Sequence, residues 1–307
     1  MSAVTVVDEV YSAIEESARL VGAACSREKV VPILTAYFPD GEALAQAGVA
    51  LTVQTGERHA GELDYTINVP AEVGDPYALA LAKGFVAETG HPVGALLSEV
   101  QQRCPVNEFM IDCGVAGGFK KIYAHFPHDL QAVSKLADIP SMPPAVAGNL
   151  GFFARHGLND VAMIAFDYRR STINLYFTRL SDECRGPQNI LSMLRETGLP
   201  DPDERMLEFA RGAFRVNVTL GWDSSRIVRF CFAPPPARGV DPSTLPVHVE
   251  PGIQKFAKNA PYTYPGGRVN LLGVKWTPDG ECLDVASYYQ LSPLHRKVLS
   301  AIHKQEF

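Results

Sequence analysis

Apolar residues along this chain keep two periods that alternate. Val7, Val10, Tyr11, Ile14, Leu20 and Val21 fall at helical spacing, with Asp8, Glu9, Glu15 and Glu16 on the opposite face. Ser26, a residue of N-cap type, opens a second helix through Val30, Val31, Ile33 and Leu34. The period then drops to two over GVALTVQT (48–55) and ELDYTINV (62–69), with a turn at Gly56. The order is helix, helix, strand, strand, and it recurs.

Helical stretches over Pro76–Thr89 and Pro92–Gln102 precede strands 107–115 and 119–126. Asp129–Leu136 and Pro144–His156 precede 160–168 and 171–180, and Gln188–Thr197 and Asp203–Gly212 precede 214–222 and 226–233. Pro251–Lys258 leads into 268–276 and 282–290, and a last helix starts at Ser292. The first strands of successive units lie about 55 residues apart, a spacing of repeated supersecondary units. Short connections make each strand pair antiparallel. The expected fold is α+β: a closed ten-stranded antiparallel β-barrel of five ααββ repeats within a ring of α-helices, one domain over residues 1–307. An open sheet of the same strands is the competing arrangement, with two edges to protect.

The alternation also separates two faces. Leu63, Tyr65, Ile67 and Val69 oppose Asp64, Thr66 and Asn68; Ile122, Ala124 and Phe126 oppose Lys121, Tyr123 and His125. Ile173, Leu175 and Phe177 oppose Arg170, Thr172, Asn174 and Tyr176; Val216, Val218 and Leu220 oppose Arg215, Asn217 and Thr219; Val228, Phe230 and Phe232 oppose Arg229, Cys231 and Ala233. If the apolar faces meet the helices, the polar ones enclose a wet chamber; in an open sheet they would simply meet solvent. Closure brings Lys121, Arg170 and Arg229 together, and such a set repels itself unless a multivalent anion such as diphosphate joins it. Asp64 could carry a Mg2+ bridging that anion. Tyr123, Tyr176 and Tyr288 offer hydroxyls to phosphate and ring faces to a carbocation. His125 faces inward, but no partner in the sequence orients it as a base, so it reads as a wall residue.

Composition narrows the class further. The 307 residues carry 28 Lys+Arg against 34 Asp+Glu, a net charge of -6, so no basic footprint for nucleic acid exists. The longest apolar runs fall far short of the roughly 20 residues a membrane span needs. Six cysteines without CxxC or His/Cys spacing read as free thiols, and the first twenty residues lack a basic leader pattern. The expectation is a cytoplasmic protein, and closure without sheet edges makes a monomer the default. The glycines of GVAGGFKK (114–121) lack P-loop spacing and suit a hairpin turn or bulge.

HAGELDYTINV (59–69), GGFKKIY (117–123), IPSMPPAVA (139–147), DYRRSTINLYF (167–177), TLGW with RIVRFCFA (219–233) and ASYY (286–289) resemble the soluble bacterial aromatic prenyltransferases of the CloQ/NphB group, whose ααββ fold is the ABBA or prenyltransferase barrel. The resemblance runs in one register over nearly the whole chain. It implies transfer of a dimethylallyl or geranyl group from its diphosphate to an electron-rich aromatic carbon in secondary metabolism. It further implies that Lys121, Arg170, Asn174 and Arg229 bind diphosphate, that Asp64 holds Mg2+ in members that use it, and that Tyr123, Tyr176 and Tyr288 line the chamber. Phe214 and Ala233 match acceptor-pocket positions.

Four departures qualify that pattern. Asn217 replaces a diphosphate-contacting tyrosine, and Asp284 replaces a diphosphate-binding lysine. A two-residue turn at Asp279-Gly280 would place Lys275 directly opposite Asp284, either as an ordinary cross-strand ion pair or as the replacement cation. Ala162 and Arg215 stand at small polar acceptor positions, and an inward arginine suggests an anionic acceptor such as a phenazine carboxylate or a hydroxynaphthoquinone. The alternative function is a non-catalytic barrel that binds an aromatic metabolite, which the changes at positions 217 and 284 would suit.

Overall fold

The computed structural model describes residues 3–305. Its centre is a ring of ten strands: β1 (Val49–Gln54), β2 (Asp64–Val69), β3 (Glu108–Gly114), β4 (Gly118–His125), β5 (Asp160–Asp167), β6 (Thr172–Phe177), β7 (Arg215–Gly221), β8 (Ile227–Ala233), β9 (Val269–Thr277) and β10 (Gly280–Gln290). Each strand pairs antiparallel with its neighbour in sequence. Two pairings settle the choice between barrel and open sheet. β8 bonds β9 (Val274 opposite Phe232), and the last strand returns to the first, with Leu51 opposite Ser287 and Val53 opposite Val285. Two-residue strands at Gln131–Ala132 and Ala237–Arg238 extend β5 and β9 at the rim.

The outward faces make the core. Leu51, Val53, Tyr65, Ile67, Ile122, Ile164, Leu175, Val218, Phe230, Phe232 and Trp276 are fully or almost fully buried against the helical ring. The first helix, Ala3–Val21, contributes Val6, Val10, Ile14 and Ala18 at spacings of four residues, so one stripe is buried against neighbouring helices while Glu9 and Glu16 stay outside. Among the described residues, no helix is long and apolar enough to cross a membrane.

Helix ends depart from the periodic reading for local reasons. The helix expected over Pro76–Thr89 spans Pro76–Ala82. Asp75 caps its start by accepting from the Tyr77 and Ala78 N–H groups, and Gly84 ends it at φ 68°. There the Phe85 N–H returns to the Ala80 carbonyl and the Gly84 N–H to Leu81, the paired bonds of a left-handed glycine terminus. The stretch Pro144–His156 is two helices, Pro144–Gly148 and Leu150–Arg155, broken at Asn149. The Asn149 carboxamide donates to Ala145 O and to Ser225 O, both at 2.7 Å, and so ties the break to the β7–β8 connection. Asp129–Leu136 is helical only over Val133–Ala137, since Gln131 and Ala132 pair with β5.

Candidate active site

Strand alternation sends every second side chain into the lumen, so each inward row runs from the hairpin-turn end of the barrel to the end where the helices connect. On β4 the row is Lys121, Tyr123, His125; on β3 it is Asp112, Met110, Glu108, directly opposite. β2 contributes Asp64, Thr66, Asn68, and β7 contributes Thr219, Asn217, Arg215. The lumen therefore has a charged mouth, a middle belt and a far end.

At the mouth the cations carry their own counterions. Lys121 Nζ lies 3.6 Å from Asp167 Oδ2 and 3.9 Å from Asp112 Oδ2, and the Tyr123 hydroxyl donates to Asp112 Oδ2 at 2.9 Å. The expectation of unaccompanied cations thus needs correction. Asp112 and Asp167, which the sequence reading passed over, are buried beside Lys121. A second lysine also joins the mouth. The β3–β4 register slips at Asp112/Cys113, and this bulge leaves Lys120 and Lys121 on the same side. Lys120 Nζ bonds Asp64 Oδ2. Burial and the nearby Asp112 push the Asp64 carboxyl up to about 6, against the pull of Lys120 and Lys121.

Arg170 is not on a strand face. It sits in the exposed β5–β6 turn, its N–H donating to Asp167 Oδ1 at 2.9 Å, and lines the rim of a cavity of ≈ 220 Å³ with Asp64, Lys120, Asp167 and Arg169. Arg229 lies deeper and is held by neutral groups: Nε donates to Thr219 Oγ1 at 3.0 Å and Nη2 to Asn174 Oδ1 at 3.3 Å. Thr219 in turn donates to Asn174 Oδ1 at 2.7 Å. Among the described residues, no carboxylate pairs with Arg229.

The last hairpin turns one residue earlier than expected, at Pro278-Asp279, with Thr277 opposite Gly280. Lys275 therefore faces Cys282 and Asp284 faces Gly273, and the ion pair forms diagonally, Nζ to Oδ2 at 2.6 Å. Asp284 is neutralised by this pair. Asn217 is inward with a buried Oδ1 that has no hydrogen-bond partner.

Asp64, the position expected to carry Mg2+, has a lysine as its partner. Among the described residues no three His, Cys, Asp or Glu side chains gather as a metal site, and the Asp64 carboxylate already bonds the Lys120 ammonium. A divalent ion there would have to displace a charge of its own sign.

The middle belt is Tyr123, Tyr176, Met110, Met163 and Ala165, a separate apolar cluster inside the ring. The two tyrosine rings stand 6.0 Å apart and inclined by 59°. Burial raises both phenols, so they stay protonated and present hydroxyls and π faces. Ala162 lies where β5 bulges between Val161 and Met163.

The far end gathers Arg215, Phe214, Ala233, Tyr288, His125, Glu108, Asn68 and His295. Arg215 faces Ala233 across the pair, its guanidinium 5.1 Å from the Tyr176 ring centre and 5.4 Å from that of Phe214. Its Nε is buried without a partner, and among the described residues it pairs with no carboxylate. His295 comes from the C-terminal helix (Pro293–Gln305) and packs edge-on to Tyr288 at 5.0 Å. Gly48 makes room for it: a Cβ there would clash with Asn68 Oδ1 and with His295 Nδ1. Burial pushes His295 down to about 4, with Glu108 opposing and the His125 and Arg215 charges reinforcing that shift. Sequence reasoning missed His295, Glu108 and Lys120. The first lies outside the strand pattern, and the other two needed the register.

The chain as a whole has relatives. The chain is 44% identical over 303 residues to the 5,10-dihydrophenazine-1-carboxylate 9-dimethylallyltransferase of Streptomyces anulatus, covering 98% of this chain and 99% of that one. It is 42% identical over 296 residues to the flaviolin linalyltransferase of Streptomyces virginiae, 95% of each chain. A furaquinocin biosynthesis prenyltransferase of Streptomyces sp. (strain KO-3988) is 40% identical over 292 residues, 94% of this chain and 90% of that one. The family model described as aromatic prenyltransferase Orf2 matches residues 5–295. A closed barrel with a cationic mouth, an aromatic belt and this extent of likeness lead to one conclusion: the chain belongs to the Orf2 family of aromatic prenyltransferases and transfers prenyl groups to aromatic compounds in secondary metabolism.

Proposed function

We propose that the chain binds a dimethylallyl or geranyl diphosphate at the turn end and prenylates an acidic aromatic acceptor lodged at the far end. The acceptor class is a phenazine-type carboxylate or a hydroxynaphthalene or naphthoquinone phenol. The observation that carries this reading is Arg215, a cation at the far end with a buried, unpartnered Nε and, among the described residues, no carboxylate of its own. Relatives named for a dihydrophenazine carboxylate and for flaviolin support the same class.

The chemistry follows from the layers. Ionising the allylic C–O bond moves charge onto diphosphate, where Lys121, Arg229 and Lys275 offer fixed positive charge and Arg170 adds to it at the rim. Asn174 and Thr219 hold Arg229 in place, which limits the reorganisation needed as charge develops. Tyr123, Tyr176 and Tyr288 flank the allyl cation with ring faces, and the belt keeps water from it. Asn217 can turn its amide so that Nδ2 meets a phosphate oxygen. Phe214, Ala162 and Ala233 bound the acceptor.

On this reading Lys120 supplies at Asp64 the charge that Mg2+ would bring, so turnover does not depend on the metal. A closed barrel leaves no long edge for pairing, which supports a monomer, and free thiols at all six cysteines suit the cytoplasm.

The test is a mass-spectrometric assay with both diphosphates against dihydroxynaphthalenes, flaviolin and dihydrophenazine carboxylate, each run with Mg2+ and with EDTA. The expected product is heavier by one prenyl unit, with rates within about twofold in the two buffers and the acidic acceptors preferred. Product formed only with Mg2+ would refute the Lys120 reading, and preference for neutral acceptors would refute the role of Arg215.

A further inference from the structure

Electrophilic substitution ends with the loss of a ring proton, and geometry restricts what can take it. When the allyl carbon bonds the ring, the attacked carbon becomes tetrahedral. The entering group then stands on one face and the departing hydrogen on the other. Diphosphate, on the entering side, cannot reach that hydrogen. The base has to lie beyond the acceptor, at the far end.

Two side chains there form a pair that no sequence pattern announces. Glu108 and His125 are direct cross-strand partners, the last inward residues of β3 and β4. His125 Nδ1 lies 3.5 Å from Glu108 Oε2, an ion-pair contact without hydrogen-bond geometry, and that nitrogen is buried with no hydrogen-bond partner. Asn68 Nδ2 donates to Glu108 Oε1 at 2.6 Å and fixes the carboxylate from β2. Glu108 is the nearest acceptor to Nδ1, so a proton on that nitrogen would face its carboxylate, and in that tautomer Nε2 is the acceptor. Among the described residues, Nε2 makes no hydrogen bond. Four residues separate Lys121 from His125, about 13 Å along a strand. That span takes a diphosphate oxygen, the allyl carbon, one ring atom and its hydrogen in line.

We propose that His125 accepts the ring proton and that Glu108 positions it. The allyl carbon–oxygen bond breaks with its electrons on diphosphate, and ring electrons form the new carbon–carbon bond. The carbon–hydrogen electrons then return to the ring while the proton passes to His125 Nε2. Glu108 stabilises the imidazolium until solvent takes the proton. Asn68 is a further positioning residue, acting through Glu108. The neighbouring His295 does not compete, because burial leaves it too weakly basic. This inference rests on the placement of diphosphate at the mouth and the acceptor at the far end.

The test compares wild type with His125→Phe, His125→Gln and Glu108→Gln, using protiated and ring-deuterated dihydroxynaphthalene and dihydrophenazine carboxylate with both diphosphates. Wild type is expected to show a rate ratio near one, because deprotonation is fast. Both His125 variants should lose about a hundredfold in kcat, the lower range for general-base removal, with the isotope ratio rising above about two as deprotonation becomes limiting. Glu108→Gln should fall between. An undiminished rate, or a hundredfold loss with the ratio still at one, would make His125 a wall residue and overturn the proposal while prenyl transfer stands. Absence of product from wild type with every pairing would overturn the reading of the site itself, and this inference with it. The Gln variant guards against a folding defect in the Phe variant, and equal melting temperatures are expected.

Discussion

The two ends of the lumen are both cationic, yet they are built on opposite plans. At the mouth, Lys120, Lys121 and Lys275 each rest against carboxylates: Asp64, Asp112 with Asp167, and Asp284. At the far end Arg215 has rings above and beside it and, among the described residues, no acid to pair with, while the carboxylate of Glu108 is directed to Asn68 and His125. On the proposed placement of the two substrates, the difference follows from ligand charge. A pocket for a multivalent anion needs several cations, and without internal counterions they would repel one another in the folded apo chain. A pocket for a single carboxylate or phenolate can leave one arginine bare, since its guanidinium tolerates weak hydration and stacks on aromatic faces. Arg229 stands between the two plans, within the mouth but held only by Thr219 and Asn174.

The largest effects should separate Lys121 from Arg229. Arg229→Ala removes a cation that no carboxylate accompanies among the described residues and is expected to cut kcat/KM by about 10² to 10³, the range for losing one preorganised charge stabiliser. Lys121→Ala should cost at least about tenfold more, because it also leaves Asp112 and Asp167 as bare anions facing the diphosphate. Equal losses would mean that the mouth carboxylates do not interact with ligand, and the contrast between the ends would fail. Arg215→Leu comes next. The KM for a carboxylate acceptor should rise about 10- to 100-fold, while that for a neutral dihydroxynaphthalene stays within about threefold, as a charged hydrogen bond is worth about 1.5–3 kcal/mol. A uniform rise would place Arg215 among wall residues. Smaller still, Asp167→Asn keeps the oxygen that accepts from the Arg169 and Arg170 N–H groups but removes a charge beside Lys121. Calorimetric titration with inorganic pyrophosphate should show binding about fivefold tighter, the size of one like-charge contact in a wet cleft.

The barrel itself was legible because period-two stretches recur with helices between them, and all ten strands fall within a few residues of their expected positions. Lys121, Arg229 and Arg215 were legible for the same reason, since alternation assigns a face. Lys120 was not, because a bulge changes that assignment and leaves no mark in FKKIY beyond the glycines before it. The Lys275–Asp284 pair was found, but in the wrong register. Pro278 takes the first turn position, where its fixed φ suits it, and shifts every partner by two. Arg170 was placed inward by extending a strand one turn too far. Asp112, Asp167 and Glu108 lay on strands whose faces were easily assigned, yet an isolated inward acid carries no signal until the register shows which cation it meets. His295 depended on where the last helix docks, which is tertiary information only.

The smallest expected effect tests the far end without any ligand. His295 has a folded pKa of about 4 against an ordinary value near 6.5, through burial and the charges of His125 and Arg215, with Glu108 opposing. The folded chain therefore binds this proton less readily than the unfolded chain. The native state keeps its full advantage above about pH 6.5 and loses it as pH falls towards 4. At pH 5 the loss is about 2 kcal/mol, and for a chain of this length that is about 3 °C in melting temperature. His295→Gln keeps a polar side chain beside Tyr288 but cannot take the proton. Its melting temperature should therefore fall about 3 °C less than that of wild type between pH 7 and pH 5, by differential scanning calorimetry. If both fall alike, His295 is solvated rather than enclosed. The far end would then be a wet opening like the mouth, and an unpaired Arg215 there would have lost the low dielectric that makes its charge selective.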